Sequence, residues 1–376
     1  MVLLKIGTLN IPRDRWVDAL DCFSEVYVFC YDTEKQIEDS KIHYIPFPTR
    51  KFLNRKLGAL VGILERYPSL SWLCEVFLLA LRVCNRPLLR KIHSVKYDAI
   101  HSSYNDSDES ALLTAILNPR SYTRAQKETR LRYSYLEERA FRKASRVILN
   151  DELNLELYRK KYGQDFLENA QIIYQLDEDV RSRKVFGAFP YAQKLSEKDG
   201  KIHAVILAGR VLSDPNEPRS GGRLYYINLI NELIDAGMIV HLHTGRIVPC
   251  NGADLYQELA QKREEFVIEG PLDFDGHKME AYHILSRYDI GVCHAHIPNT
   301  EVTTFDKVNI PHRYYEYHIA HVAPFDMKGG NLLLEKKAKH NHALICNSFS
   351  EITLDCIKEI EWESNTFSQY IQNIYG

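Results

Sequence analysis

Residues 202–210 have the sequence IHAVILAGR, an apolar run that ends in Gly209 and Arg210. A short run of this composition predicts a buried β-strand, and the glycine predicts the turn after it. Further apolar runs alternate with helical patterns up to residue 293: a helix is predicted at 229–236, strands at 239–243, 266–268 and 289–293, and a helix at 279–287. This alternation predicts a parallel, doubly wound sheet.

A similar series precedes residue 202. Strands are predicted at 3–6, 25–30, 42–45, 99–101 and 146–149, and helical spacing occurs at 59–83, 110–117 and 130–144. Residues 182–201 lose the pattern and contain Gly187, Pro190 and Gly200, which predicts a linker. The predicted limits are 1–185 for an N-terminal Rossmann-like domain, 186–201 for the linker, 202–355 for a C-terminal Rossmann-like domain, and 356–376 for a C-terminal helix that packs back on the first domain. The fold class is therefore α/β, with two doubly wound domains.

Length and composition fit this organisation. The 376 residues suit two domains better than one, and 45% apolar with 26% charged residues is ordinary for a globular protein. The eight cysteines lack Cys-x-x-Cys spacing and several lie in apolar runs, which predicts buried thiols in a reducing compartment. Because the first seven residues are too short for a signal sequence and no apolar run reaches the roughly 18–20 residues of a spanning helix, we expect a cytoplasmic protein.

Positive charge is concentrated in residues 50–96. This segment holds ten Lys and Arg against two acids, Glu65 and Glu75, although the whole chain has a net charge of only −2. One interpretation is a solvated helix face above a core. The other is a contact with anionic membrane at the inner face of the cell, in which cations meet headgroups while Leu, Phe and Trp72 enter the boundary. No nucleic-acid-binding module accompanies the charge, so we expect no nucleic-acid partner.

Five short patterns, taken in order, carry a family resemblance. They are YDAIH at 97–101, EERAFRKASRVI at 137–148, VILAGR at 205–210, YDIGV at 288–292 and PHRYYEY at 311–317. In these patterns the chain resembles the retaining glycosyltransferases of family four, which have the GT-B architecture. The resemblance implies two domains facing a central cleft. It also implies transfer of a sugar from a UDP- or GDP-linked donor to a hydroxyl of a glycan or lipid-linked glycan, as in polysaccharide synthesis for the cell envelope, with retention and without a metal or other cofactor.

The chain departs from the family pattern at four points, one of which is that the family's N-terminal Gly-Gly loop is missing. Val308 stands where the first glutamate of the family's Glu-x7-Glu pair is expected, and His321 stands where the family has a glycine. The family's phosphate-binding lysine is absent, and Arg223 is the nearest cation. Two alternatives therefore stay open. One is an enzyme similar to nucleotide-sugar epimerases, and the other is a catalytically silent GT-B protein that binds glycan or another glycosyltransferase.

The resemblance implies three catalytic residues, His101, Arg210 and Glu316. Glu316 is expected near the start of a helix, where its carboxylate accepts hydrogen bonds from ribose hydroxyls. Arg210 follows a strand, where ligands bind in doubly wound sheets, and its guanidinium suits phosphate oxygens. His101 is expected at the end of a strand, facing the donor sugar or the transferred oxygen. A capping carboxylate, a solvated arginine and a structural histidine are the corresponding structural alternatives.

The remaining donor-site candidates lie around these residues. We expect Gly209, Gly222 and Arg223 to approach the diphosphate, and Arg313 to stabilise the ribose region. His296 is expected to line the sugar pocket, and Lys328 lies in a loop that contacts sugar hydroxyls or phosphate in the family.

Two His-x-His pairs, at 241/243 and 294/296, raise the question of a metal. Alternate side chains on a strand share a face, but two ligands are too few for zinc and no Cys or Asp cluster adds to them. The sequence therefore predicts no metal.

Overall fold

The computed structural model describes two compact units in the chain. The described residues are 1–7, 22–31, 39–103, 109–126, 133–149, 151–174, 189–215, 224–274, 278–294, 307–308, 310–363 and 374–375. The first unit comprises Met1–Arg183 together with Thr366–Gly376, and the second comprises Lys184–Asn365.

The first unit is built on a seven-stranded sheet. Its strands are β1 (Val2–Ile6), β2 (Glu25–Tyr31), β3 (Ile42–Phe47), β4 (Ala99–Ser103), β5 (Thr123–Gln126), β6 (Arg146–Leu149) and β7 (Gln171–Tyr174). All of them pair in parallel in the order β3-β2-β1-β4-β5-β6-β7. This is the Rossmann order with one added strand. The helices between the strands are α1 (Phe52–Leu64), α2 (Ser71–Cys84), α3 (Arg86–His93), α4 (Glu109–Leu117), α5 (Tyr135–Arg142) and α6 (Glu152–Tyr162).

The second unit repeats the architecture with six strands. They are β8 (His203–Ala208), β10 (Ile239–Thr244), β12 (Phe266–Glu269), β13 (Ile290–Val292), β14 (Ala323–Met327) and β15 (Leu344–Cys346), with a small parallel pair β9 (Val211–Leu212) and β11 (Ile247–Val248). The order β12-β10-β8-β13-β14-β15 is again the Rossmann order. The helices are α7 (Ser196–Asp199), α8 (Ile227–Asp235), α9 (Leu255–Lys262), α10 (Lys278–Leu285), α11 (His312–Ile319), α12 (Leu332–Ala338) and α13 (Leu354–Lys358).

The central strands are apolar because helices cover both faces of each sheet. In β8, Ala204, Val205 and Ile206 are fully buried, so successive side chains on both faces pack into cores. Leu3, Leu4 and Ile6 of β1 do the same in the first unit. The predicted fold class of two doubly wound α/β units is confirmed, and it is the fold that the GT-B resemblance implies for each half. That the units face a cleft stays a prediction.

Several predicted boundaries differ from the structure. Residues 189–201, expected as a linker, belong to the second unit: Nζ of Lys194 donates to the carbonyl of His321 at 2.6 Å, and Oγ of Ser196 donates to Asp289 at 2.6 Å. Residues 356–363, expected to pack on the first domain, contact the second unit instead: Trp362 stacks on His321, and the amide of Glu363 donates to His318 at 3.1 Å. The single helical pattern at 59–83 is two helices separated by a short 3-10 turn at Pro68–Leu70, because proline has no amide hydrogen to continue a helix.

No helix among the described residues has both the length and the apolar character needed to cross a membrane. All eight cysteines are free thiols. Cys30, Cys74, Cys293 and Cys346 are buried as expected, whereas Cys84 and Cys356 are exposed.

Candidate functional site

The strand order of the second unit has a switch point beside β8, the position at which ligands bind in doubly wound sheets. The chain runs outward from β8 through β10 to β12, then returns to β13 on the other side of β8 and continues outward to β14 and β15. In such sheets the helices diverge at the carboxyl ends of the two central strands, which leaves a crevice there. The residues that follow β8 and β13 therefore occupy the position of a binding site.

Gly209 and Arg210 follow β8 directly, and both are exposed. The end of β10 approaches them closely: a Cβ placed on Gly245 would lie 3.1 Å from the carbonyl oxygen of Gly209. A side chain at 245 would crowd this edge. The structure thus places the guanidinium of Arg210 at the carboxyl edge of the sheet, in solvent.

A second cation lies at the amino end of α8. Nη1 of Arg313 donates a hydrogen bond of 2.8 Å to Oη of Tyr226, the residue that precedes α8. Tyr226 is buried, and its amide donates to Oη of Tyr256 at 2.9 Å, which fixes its position. The amino end of a helix carries partial positive charge, so the arginine adds to a field that already attracts anions.

Helix α11, which carries Arg313 and Glu316, is fixed across the two central strands by Tyr317. Its hydroxyl donates to the carbonyl of Val205 on β8 at 3.3 Å and to that of Val292 on β13 at 3.1 Å. A Cβ on Gly291 would lie 2.5 Å from the ring of Tyr317, so only glycine allows this contact. The YDIGV and PHRYYEY patterns therefore meet at one contact.

Glu316 lies in the interior and not at the helix start. Helix α11 begins at His312, so the glutamate is in the second turn, and the predicted terminal position is wrong. Glu316 is 4% exposed, and its carboxylate accepts a hydrogen bond from the hydroxyl of Tyr282 on α10. The first turn of the helix is formed by His312, Arg313 and Tyr314 of this motif.

The structure explains how His321 is accommodated at the position where the family has glycine. Its φ of +54° lies in the left-handed region that glycine adopts most easily. The ring stacks on Tyr191, with centroids 4.2 Å apart, and on Trp362, with centroids 4.9 Å apart. A histidine can hold this conformation because two aromatic rings pack on it.

A histidine–aspartate pair lies at the ends of β13 and β14. Nδ1 of His294 is 2.9 Å from Oδ2 of Asp326, and Oδ1 of Asp326 accepts the amide of Met327 at 2.9 Å. The aspartate side chain is 1% exposed and that of the histidine is 18% exposed. A carboxylate on Nδ1 orients an imidazole and fixes its tautomer, which leaves Nε2 to accept a proton or hydrogen bond.

The loop after β14 carries Lys328. Its side chain is exposed, and Gly329 takes a φ of +82° in the turn. A Cβ on Gly330 would lie 2.9 Å from the carbonyl of Met327 and about as close to the carboxylate of Asp326, so the loop packs directly against the buried aspartate. Lys328 and His294 consequently share the edge with Arg210.

His101 is in the first unit, and its strand does not end with it. Strand β4 continues to Ser103, so the predicted end is wrong by two residues. The side chain is 1% exposed, and Nδ1 lies 2.6 Å from Oη of Tyr375 near the C-terminus. A role for His101 toward a sugar stays a prediction.

Other predicted residues, Gly222, Arg223 and His296, lie outside the described residues. Sequence reasoning did not assign Tyr226, His294 or Asp326 to the site. The signal for His294 was present, because it directly follows an apolar strand, but Asp326 is buried in a strand of its own.

His241 and His243 both make protein contacts. Nε2 of His241 lies 2.9 Å from Nδ1 of His203, and Nε2 of His243 lies 2.8 Å from Oη of Tyr288. Within the described part of the chain, no group of three or more His, Cys, Asp or Glu is arranged to hold a metal ion. Burial raises the pKa of the Cys293 thiol, which disfavours a thiolate at this edge.

No protein-family model and no curated protein matches the chain. Solved structures match it at low identity. AviGT4, a glycosyltransferase involved in avilamycin A biosynthesis, has 9% identity and a TM-score of 0.46, covering 100% of this chain and 96% of that chain. MurG from Acinetobacter baumannii has 11% identity and a TM-score of 0.40, covering 100% and 90%. UDP-N-acetylglucosamine 2-epimerase from Rickettsia bellii has 10% identity and a TM-score of 0.44, covering 100% and 95%. At these TM-scores, the Rossmann assignment of each unit rests on its own strand order.

Proposed function

We propose that the chain is a glycosyltransferase that binds the diphosphate of a nucleotide sugar at the carboxyl edge of the second sheet. The supporting observation is that three adjacent strands, β8, β13 and β14, are followed by Arg210, His294 and Lys328. Neighbouring strands lie about 4.8 Å apart, so these strand ends span about 10 Å. One diphosphate with its sugar reaches across such a span.

The charges at this edge suit the transfer reaction. When the bond between the sugar and the diphosphate breaks, negative charge increases on the leaving phosphate. Arg210, Lys328 and the positive amino end of α8 beside Arg313 are arranged to stabilise that charge without a metal ion. His294, oriented by Asp326, accepts a hydrogen bond from a donor-sugar hydroxyl through Nε2. The acceptor is a hydroxyl of a glycan or lipid-linked glycan, and retention of configuration is proposed from the family resemblance.

A ligand panel tests the proposal. The full chain is heated with UDP-, GDP- and CMP-sugars, because a ligand at about 100 times its Kd stabilises the native state by about 2.7 kcal/mol and raises the midpoint by several degrees. We expect one nucleotide class to raise the midpoint. Release of nucleoside diphosphate is then measured with glycan and lipid-linked acceptors. If no nucleotide sugar shifts the midpoint, the proposal fails.

The His294–Asp326 pair also supports a second candidate, an epimerase-like reaction on the nucleotide sugar. In that reaction an oriented imidazole removes a proton from the sugar ring instead of binding a hydroxyl. Incubation in deuterated water distinguishes the two, because only proton removal from carbon places deuterium in the recovered nucleotide sugar. Val308, a buried residue at the family's first glutamate position, supports the silent-partner alternative. Nucleotide-sugar binding with no sugar transfer to any acceptor and no deuterium incorporation favours that alternative.

A further inference from the structure

Helix α2 of the first unit is apolar on both faces. Cys74, Leu78 and Leu81 are 0–1% exposed and pack into the core. On the opposite face Trp72, Val76, Leu79 and Val83 are 62%, 52%, 57% and 65% exposed. Their spacing of four, three and four residues places them in one stripe along the helix. A helix that lies between a core and water is expected to be polar on this outer face.

Helix α1 has the same property. Leu57 and Val61 are buried in the same core as Leu78 and Leu81, which holds α1 against α2. Phe52 and Ile63 are 77% and 60% exposed. Of thirteen large apolar side chains exposed among the described residues, nine lie between positions 52 and 83. Such clustering marks an interaction surface, because scattered exposed apolar residues are ordinary and a concentrated group is not. We call residues 50–96 with these exposed side chains the α1–α2 surface.

The exposed charge among residues 50–96 is mostly positive, and the one acid there with a solvent-accessible side chain, Glu75 at 39% exposure, is paired with Arg139. Nine of the ten Lys and Arg in residues 50–96 are exposed: Arg50, Lys51, Arg55, Lys56, Arg66, Arg86, Arg90, Lys91 and Lys96. Both acids make contacts within the unit. Glu65 is buried and accepts the hydroxyl of Ser134 at 2.7 Å, and Glu75 accepts from Tyr135 at 2.7 Å and pairs with Arg139.

The combination of positive charge and exposed apolar groups indicates which kind of partner binds to this surface. An apolar stripe among cations matches the boundary of an anionic bilayer, where acyl chains lie beneath phosphate groups. A second copy of the chain fits less well, because a two-fold contact would bring the same cationic surface against itself.

We propose that the α1–α2 surface docks on anionic membrane, with Phe52, Ile63, Trp72 and Leu79 in the headgroup boundary and the nine cations against lipid phosphates. The surface belongs entirely to the first unit and does not depend on the donor site proposed for the second. Docking holds the chain where a lipid-linked acceptor is presented.

Vesicle sedimentation tests the proposal with the full chain. Vesicles of phosphatidylcholine with phosphatidylglycerol are compared with vesicles of phosphatidylcholine alone. We expect binding to the anionic vesicles that weakens with added salt. Charge reversal at Arg55, Lys56 and Arg66 to Glu is expected to weaken binding at least 100-fold, since each cation near an anionic surface contributes roughly fivefold. The matched control reverses Lys198, Lys339 and Lys358, three exposed lysines of the second unit, and is expected to bind like the wild type.

A separate double variant tests how much the exposed apolar side chains contribute to vesicle binding. Trp72→Ser with Leu79→Ser is expected to weaken vesicle binding about tenfold or more, because two large apolar side chains no longer leave water. Tyr174→Ser, at a 43% exposed aromatic on β7, is the control. These side chains are exposed, so the thermal midpoint is expected to change little, and nucleotide-sugar binding is expected to stay at the wild-type level.

Three results would overturn the proposal. The first is a wild type that does not bind anionic vesicles. The second is vesicle binding that is unchanged in both surface variants. The third is self-association of a wild type that does not bind vesicles, measured by analytical ultracentrifugation and lost in the Trp72→Ser, Leu79→Ser variant. That result would show that another copy of the chain covers the surface. None of these results bears on donor binding in the second unit.

Discussion

Nδ1 of His294 lies 2.9 Å from Oδ2 of Asp326, although 32 residues separate the two along the chain. The pair joins the ends of β13 and β14 beside the crevice of the second sheet. Because Asp326 also accepts the amide of Met327, the carboxylate is held from both oxygens and the imidazole has a fixed orientation.

His294→Gln is expected to lower kcat/KM for glycosyl transfer about tenfold, the effect of losing one good hydrogen bond to the donor sugar. Steady-state rates with the donor found by the ligand panel check this. If His294 instead removes a proton from carbon, the loss is on the order of 10² to 10⁴ and appears in kcat. Unchanged kinetics would contradict both roles.

Arg210→Ala is expected to weaken nucleotide-sugar binding about 10- to 100-fold, since charge-assisted hydrogen bonds to phosphate contribute about 1.5–3 kcal/mol. Isothermal titration measures the affinity. The side chain is exposed, so the thermal midpoint without ligand is expected to stay the same. Arg263→Ala is the control, because Arg263 precedes β12 and lies at the opposite edge of the sheet. Equal nucleotide-sugar affinities in the two variants would show that Arg210 does not contact the nucleotide sugar.

His321→Ala is expected to lower the free energy of unfolding by about 2 kcal/mol, because two ring stacks are lost and alanine keeps the left-handed strain. His321→Gly loses the same stacks without the strain, so it is expected to be more stable than His321→Ala by about 1 kcal/mol. Urea unfolding of the three proteins measures these differences. If the alanine variant is as stable as the glycine variant, the left-handed backbone at 321 does not store the strain assigned to it.

The second unit is expected to lose stability as the pH falls from 6.5 toward 4. Burial lowers the pKa of His318 to about 4, and the neutral ring is fully bonded: Nε2 donates to the carbonyl of His342 at 2.9 Å and Nδ1 accepts the amide of Glu363 at 3.1 Å. Above pH 6.5 the histidine is neutral in both states. Below it the unfolded chain takes up a proton that the folded chain does not, which favours unfolding by up to about 3 kcal/mol.

Urea unfolding at pH 7 and pH 5 checks this, and His318→Gln is expected to show a smaller loss between the two values than the wild type. His340→Gln changes an exposed histidine and is expected to keep the wild-type dependence. A His318→Gln protein with the wild-type loss would show that another group controls the acid response.

The sequence predicts the carboxyl edge of the second sheet well where a side chain directly follows a strongly apolar strand. Arg210 after β8 is such a case, because parallel strands place their ends at one edge. Six strands escaped prediction. The strands β9 and β11 have two residues each, the strands β5, β7, β14 and β15 have three to five, and β14 contains Pro324 and Asp326 within APFDM. Proline and aspartate are depleted in strands, so the sequence gives no sign that Asp326 is buried in one. The structure shows it through the contact between Asp326 and His294.

Partners that are distant in sequence account for the other differences. The motif predicts Glu316 near the start of the helix, but where α11 begins depends on Pro311, which precedes the helix and has no amide hydrogen to donate. Residues 189–201 lack periodicity and resemble a linker, yet Lys194 and Ser196 bond to the second unit. Periodicity reports the face that an element buries. It does not report which irregular segment packs on that element.

Hydrogen exchange of the full chain, with and without a saturating nucleotide sugar, tests the central proposal most directly. The proposal predicts slower amide exchange in the segments that follow β8, β13 and β14, at residues 209–212, 293–294 and 327–331, and at the amino end of α8. Slowing confined to the amino edge of the sheet, or none anywhere in the second unit, would contradict it.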